Sequence, residues 1–403
     1  MNDHYQVLIV GGGSAGITVA AHLCNEDNAP SVGIIEPSEV HYYQPIWTLV
    51  GAGVFDRDIS KREEAEFIPE GADWIKQYAA SFDPENNTVT TQEGDTIGYD
   101  FLVVAPGLQL DWDAIPGLAD AVEDPDSGVV SNYSYEYCED TWTAIQRLQP
   151  GDRALFTQPS TPIKCGGAPQ KIMYLAADHL RERGILDDVT IQFFTPGTVI
   201  FGVEKFARTL RKVVDRYGID VNLYSELTEI RPATNEAVIQ STGGDGAAGE
   251  HVVSYDMLHV TPPQSAPDFI KESPLSNEEG WVDVHKHTLQ HNKYSNIFSL
   301  GDVAALPTAK TGAAVRKQAP VVVQHLMQMM QDGAITAPKA YNGYSSCPLV
   351  TGYGKLVLAE FDYDNNPDPS FPFDTSEERY SMYALKAYGL PEMYWHGMLR
   401  GRA

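Results

Sequence analysis

Two cysteines stand in turn-rich segments where a thiol can do chemistry: Cys165 in KCGGAPQK and Cys347 in SSCPLVTGYGK. Each is followed by Gly or Pro, and loops carry chemistry more often than they carry core. Cys165 also precedes an apolar, helix-like stretch at 172–180, with Lys164 and Lys171 nearby. A thiol at a helix N-terminus beside lysines has a lowered pKa, and the thiolate is the reactive form. Spacing alone leaves a second reading open: two ordinary buried cysteines. Cys24, near the end of the first helix, and Cys138, in NYSYEYCEDTW, read as packing residues.

The second chemical signal is a dinucleotide fingerprint. An apolar strand at 7–10 runs into Gly11-Gly12-Gly13-Ser14-Ala15-Gly16, then into an apolar helix at 17–23 and a strand at 32–35 that ends at Glu36. Gly11 allows the tight turn, Gly13 lets backbone approach a pyrophosphate, and Gly16 lets helix pack on strand. The helix N-terminus faces the phosphates, and Glu36 can accept from ribose hydroxyls. Ala105-Pro106-Gly107 closes a strand at 101–104, and Gly301-Asp302 closes another at 296–300. In this order the three turns favour FAD over NAD. Lys310 and Thr311, after the Gly-Asp turn, are placed to approach the flavin pyrimidine, where a cation stabilises the reduced anion.

The elements that must hold these residues are α/β. Strands are expected at 74–82 and 88–92, then a second α/β unit with strands at 154–157, 189–194 and 219–224 and a helix at 206–217. Its loop, within 153–180, lacks the G-x-G-x-x-G spacing that a second nucleotide would need; Cys165 stands there instead. A Gly/Ala-rich loop is expected at 242–250, and an apolar helix from 314 to about 330. The expected fold is two Rossmann-like dinucleotide-binding domains of the disulfide-reductase type. The FAD domain takes 1–112 and 290–337, the second domain 113–289, and a C-terminal segment 338–403.

The bulk numbers fit a folded chain long enough for two or three cores: 403 residues, 43% apolar, 21% charged. Acidic residues number 55 against 28 basic, a net charge of −27. Phosphate binding wants a basic surface, so nucleic acid is not an expected partner. Such an excess suits high salt, where self-repulsion is screened, and favours a halophilic source, with an ordinary acidic bacterial protein as the competing reading. No basic n-region with an apolar h-region precedes the first strand, so no signal peptide is expected. No metal-ligand spacing is present, and a homo-oligomer is compatible with the sequence.

PIKCGGAPQKIMYL, YSSCPLVTGYGKLVLAEFDY, SLGDVAALPTAKT and LPEMYWHGMLRGR resemble segments of the sulfide:quinone oxidoreductases, most of all the branch that includes the mitochondrial enzymes. The resemblance runs over essentially the whole chain. It implies sulfide oxidation to sulfane sulfur or polysulfide, with FAD passing two electrons to a membrane quinone. It places Cys165 and Cys347 at the flavin as the sulfur carriers. It adds Gln44 and Ala79 to the FAD contacts and puts Lys171, Lys386 and Tyr383 near the quinone. Hydrosulfide, drawn in by Lys164 and Lys171, is expected to attack a sulfur bridge between the two cysteines. That leaves a persulfide on Cys165 and a thiolate on Cys347, which passes electrons to FAD. Some branches carry a third cysteine; the register puts Tyr133 at its place, so covalent flavin attachment there is not expected.

The C-terminus carries the expected quinone side. Thr375 and Glu378 fit a capping box opening a helix at 376–388, broken by Gly389 and Pro391. A second amphipathic piece holds Met393, Tyr394, Trp395, Met398 and Leu399. From 379 to 403 there are four basic residues and one acid, +3 in a protein of −27. Aromatics, methionines and basic charge suit an interfacial anchor, so a monotopic protein on the cytoplasmic face is expected. A helix docked on the protein's own core is the competing reading. The functional rivals are a NADH:quinone dehydrogenase, which needs the missing second fingerprint, and a thiol or persulfide redox sensor without quinone activity. A flavocytochrome-type sulfide dehydrogenase would need an export signal and a C-x-x-C-H.

Overall fold

The run from Val7 to Val10 is apolar without alternation, the pattern of a strand covered on both faces. In the computed structural model, which describes residues 2–244 and 248–403, it lies near the centre of a seven-stranded sheet. His4–Val10 pairs in parallel with Val32–Ile35 on one side and Thr96–Val104 on the other. Val32–Ile35 continues to Ala72–Ile75, while Ile297–Ser299 pairs with the end of Thr96–Val104. The hairpin Ala79–Asp83 with Thr88–Thr91 closes the far edge. The strand expected at 74–82 is therefore two strands at opposite edges. The Gln77 N–H donates back to the Ile75 carbonyl at 2.8 Å, and this tight turn splits the run.

A second, five-stranded parallel sheet has the order Val129–Val130, Met257–His259, Arg153–Thr157, Thr190–Phe194, Asp220–Asn222. Helices Ala168–Glu182 and Glu204–Tyr217 make its crossovers. A three-stranded antiparallel sheet follows, Ser225–Arg231, Glu236–Ser241 and Gly249–Ser254. Of the loop expected at 242–250, residues 245–247 lie outside the described residues, and Gly249 and Glu250 already belong to a strand.

Helix Gly312–Asp332 packs beside the first helix, Ser14–Cys24. The hairpin Ser345–Gly352 with Lys355–Phe361 then packs on helix Ala168–Glu182. One apolar cluster joins these parts, holding Ile9, Phe193, Leu349 and Trp395 alike.

The C-terminal helix differs from expectation. It starts at Tyr380, and Gly389 and Pro391 lie inside it rather than ending it. Two π turns, Leu385–Gly389 and Met393–Gly397, carry the helix past the proline, because a widened turn absorbs a missing N–H. No capping box forms. Glu378 instead bonds Arg216 at 2.7 and 2.8 Å and accepts from Thr351. Tyr394, Trp395, Met398 and Leu399, expected at a membrane interface, are buried in the protein's own core. Only Tyr380, Tyr388 and Met393 of this segment stand out as exposed large apolar side chains.

Candidate active site

Two of the fingerprint glycines are forced by packing. Gly11 has φ +102°, and a Cβ there would meet the Ala105 carbonyl oxygen at 2.4 Å. A Cβ on Gly16 would lie 1.8 Å from the Gly11 oxygen. Gly13 is different: a Cβ there meets nothing within 4 Å, and Gly13 lines a cavity of about 470 Å³. Loop and helix Ser14–Cys24 thus present their N-terminus to open space. Glu36 ends its strand with one carboxylate oxygen accepting from the Gly12 N–H and the other from the Ser38 N–H, both at 2.7 Å. Burial pushes its carboxyl upward, against those two bonds.

The same cavity is lined by Ser14, Ala15, Gln44, Ala105, Gly107, Gly301, Asp302, Lys310 and Thr311, and also by Cys165, Lys171 and Lys386. Most of the residues singled out in the sequence therefore meet in one place. Gly11, Gly16 and Glu36 support the loop from behind. Ala79 lies on strand Ala79–Asp83 in a separate apolar cluster, and Tyr383 is buried; neither lines the cavity. Nor do Cys24, Cys138 or Cys347 line it: Cys347 is 2% exposed, and its neighbours Ser346 and Pro348 face the cavity instead.

Helix Ala168–Glu182 begins three residues after Cys165 and carries Lys171 on its first turns. The Lys171 ammonium lies 2.9 Å from Cys165 Sγ. Cys165 itself has φ +51°, a conformation L-residues rarely adopt. It is held there by its N–H donating to the Lys310 carbonyl at 2.9 Å and its carbonyl accepting from the Ala168 N–H at 2.7 Å. Burial alone would raise this thiol. The charge and hydrogen bond of Lys171, with the charge of Lys386, overcome burial and hold it below the ordinary value.

Cys347 sits on the strand Ser345–Gly352, behind Gly167. A Cβ on Gly167 would lie 3.8 Å from Cys347 Cβ and 2.5 Å from Leu349 Cδ2, so only glycine lets the two cysteine segments close on each other. Burial, with the nearby Cys165, pushes the Cys347 thiol up to about 12. Lys386 donates to the Pro45 carbonyl at 2.9 Å; burial and then the charge of Lys171 pull it down to about 7. Burial also draws Lys164 and Lys310 down to about 8. Lys164 reaches Gln44 Oε1 at 2.7 Å, and Lys310 donates to the Asp302 carbonyl beneath the Trp281 ring, 3.8 Å from its centroid. Thr311 caps helix Gly312–Asp332 and meets the Ser345 hydroxyl at 2.9 Å. Tyr133 points its hydroxyl at the Cys165 carbonyl, 3.5 Å away.

Sequence reasoning missed His41, Glu64 and Arg316. His41 and Glu64 form a buried pair beside the dinucleotide loop, 2.8 Å apart. Arg316 lines the cavity with no hydrogen-bond partner for its Nε among the described residues. None stands in a motif; HYYQPIW and KREEAEF read as ordinary loop sequence.

The family model described as pyridine nucleotide-disulphide oxidoreductase matches residues 5–141. The chain is 46% identical to the mitochondrial sulfide:quinone oxidoreductase of Mus musculus over 399 residues, covering 99% of this chain and 87% of that protein. It is also 46% identical to the mitochondrial sulfide:quinone oxidoreductase of Dictyostelium discoideum, covering 98% and 86%. The crystal structure of the Aquifex aeolicus sulfide:quinone oxidoreductase superposes with a TM-score of 0.81 at 20% identity, over 100% of this chain and 92% of that one.

Proposed function

Because the chain belongs to the sulfide:quinone oxidoreductase family, we propose that Cys165 and Cys347 carry the sulfur in its reaction. The protein oxidises sulfide with FAD as its cofactor and a quinone as acceptor. The residues present fit FAD: open space at Gly13, a helix N-terminus, a held carboxylate at Glu36, and the Gly301-Asp302 turn on one cavity wall. Bound there, FAD supplies a two-electron acceptor.

The observation that carries the reading is the 2.9 Å contact between the Lys171 ammonium and the Cys165 sulfur. It supports a polarity opposite to the one expected from sequence. Hydrosulfide, attracted by Lys164, Lys171 and Lys386, attacks the Cys347 sulfur of a disulfide bridge. The leaving group is then Cys165, because the lower-pKa thiol leaves faster and Lys171 stabilises its negative charge. Cys347, whose thiol is pushed up to about 12, keeps the new sulfur as a persulfide. A nucleophilic acceptor takes that sulfane sulfur and leaves Cys347 as a thiol. With FAD bound, its two-electron acceptor would let Cys165 and Cys347 return to the disulfide, with Lys171 and Lys386 beside them to take up the two thiol protons. Lys386 lines the cavity and donates to the Pro45 carbonyl, and its lowered pKa supports a role as proton donor to the quinone.

The exposed Tyr380, Tyr388 and Met393, with Phe55 edge-on to Tyr388 at 5.9 Å, support contact with a membrane surface. Leu385, Leu390 and Met393 line the cavity beside this patch, which suits entry of a lipid-soluble quinone. Among the described residues no helix is long and apolar enough to cross a membrane.

Anaerobic addition of sulfide to the purified protein tests the reading. Flavin absorbance should fall and return on adding a quinone analogue. Cys165→Ser and Cys347→Ser should each abolish the fall; full bleaching in either variant would refute the two-thiol route.

A further inference from the structure

Four side chains from four stretches of the chain form a hydrogen-bonded row beneath the dinucleotide loop. Glu64 Oε2 lies 2.8 Å from His41 Nδ1, His41 Nε2 lies 2.5 Å from the Tyr394 hydroxyl, and that hydroxyl lies 2.6 Å from Ser14 Oγ. His41 is 3% exposed and Glu64 is 2% exposed. Ser14 opens helix Ser14–Cys24 and lines the cavity at the end where a dinucleotide's phosphates are received.

Such a row has two donor orders. In the first, His41 donates Nδ1–H to an ionised Glu64, and its bare Nε2 accepts from Tyr394. Tyr394 then accepts from Ser14, whose only hydroxyl proton points away from the cavity. In the second, His41 donates Nε2–H to the Tyr394 oxygen and Tyr394 donates to Ser14 Oγ. The Ser14 proton is then free to turn into the cavity. The second order needs one more proton on the Glu64–His41 pair, whether as imidazolium with carboxylate or as imidazole with carboxylic acid. A phosphate oxygen only accepts, so it selects the second order.

We propose that FAD binding is proton-linked: the cofactor's diphosphate turns the row Ser14–Tyr394–His41–Glu64 toward the cavity and takes up one proton onto the buried Glu64–His41 pair. Electrons are not involved; the proton comes from solvent and returns when FAD leaves.

Few other charges face the pair. Glu36 stands across Gly12, its carboxyl raised by burial and by Glu64 and lowered by His41. The rings of Phe67 and Trp395 flank His41, with centroids 5.6 and 5.7 Å away, and Tyr43 lies 4.8 Å from Tyr394. Arg400 lies over Phe67 and Arg62 over Trp395, each one ring removed from His41. Glu64 Oε1 is buried with no hydrogen-bond partner among the described residues.

The test is dissociation of FAD from diluted holoenzyme, read by released-flavin fluorescence as pH is varied between about 5 and 8. In the wild type Kd should rise with pH, by up to about tenfold per unit, because a proton taken up on binding must be supplied from solvent and linkage is reciprocal. Tyr394→Phe keeps the ring packing and cuts the row in its middle; Ser14→Ala removes its cavity end. Each should reduce the slope of log Kd against pH by up to about one. A wild-type slope of zero, or equal slopes in wild type and both variants, overturns the proposal. If Tyr394→Phe fails to retain FAD, the slope of Ser14→Ala decides alone.

Discussion

Lys171 is 1% exposed, and its ammonium lies 2.9 Å from Cys165 Sγ. A hydrogen bond to a charged group contributes about 1.5–3 kcal/mol. At about 1.4 kcal/mol per unit, losing it shifts a pKa by about 1–2 units. Lys171→Met keeps the length of the side chain and removes the charge. It should therefore raise the Cys165 thiol, lowering its dissociation constant by about 10- to 100-fold and moving its alkylation profile to higher pH. The assay is the pH dependence of Cys165 alkylation by iodoacetamide in reduced protein carrying Cys347→Ser, followed on the Cys165 peptide by mass spectrometry. Stability separates this effect from unfolding. Removing one partner of a buried pair is destabilising when the other keeps its charge, but Cys165 can relieve that charge by taking a proton as its thiol rises, so a cooperative thermal transition should persist. An unshifted alkylation profile in a folded Lys171→Met protein would refute the role given to Lys171, and with it the choice of Cys165 as leaving group.

Lys386 is pulled down to about 7 by burial and by Lys171, so its protonated form is lost as pH rises through that value. The kcat/KM for quinone should fall up to about tenfold per unit above pH 7; Lys386→Met should lower it and flatten the profile, and an unchanged profile would remove Lys386 from proton delivery. Tyr380→Glu, Tyr388→Glu and Met393→Gln combined should abolish flotation with lipid vesicles. Exposed substitutions of this kind stay within about 0.5 kcal/mol each, so the melting temperature should barely change; retained flotation would disprove the membrane patch. Deleting residues 379–403 is a poorer test, because it strips Tyr394, Trp395, Met398 and Leu399 from the core.

The dinucleotide half was legible in the sequence because its glycines are dictated locally: Gly11 and Gly16 meet backbone atoms within their own strand–loop–helix unit or across one strand. The loop of Cys165 was legible for the same reason, since Lys171 follows it by six residues on the first turns of a helix. The C-terminus was not. Its aromatic residues look alike in sequence, and only tertiary packing separates Trp395, buried against Phe67, from Tyr388, exposed beside Phe55. The capping-box pattern of Thr375 and Glu378 lost to a longer-range partner, Arg216, across the chain. His41 and Glu64 could not be read at all, because the hydroxyl that joins them to Ser14 comes from Tyr394, 353 positions after His41. The preference for Cys165 as the departing thiolate came only from the opposite environments of two chemically identical side chains.

The seating of Cys347 behind Gly167 has a consequence for biosynthesis. Cys165 leaves the ribosome with its lysine neighbour but without Cys347 and Lys386, which belong to the last 57 residues of a 403-residue chain. Domains fold as units while synthesis proceeds, so the five-stranded sheet can form around a Cys165 that has no second sulfur beside it. Only when the final hairpin slides Leu349 against Gly167 does the thiol meet its partner. A chain cut short before Cys347 thus lacks the second sulfur of the proposed bridge, and the order of translation itself delays the pairing of the two thiols.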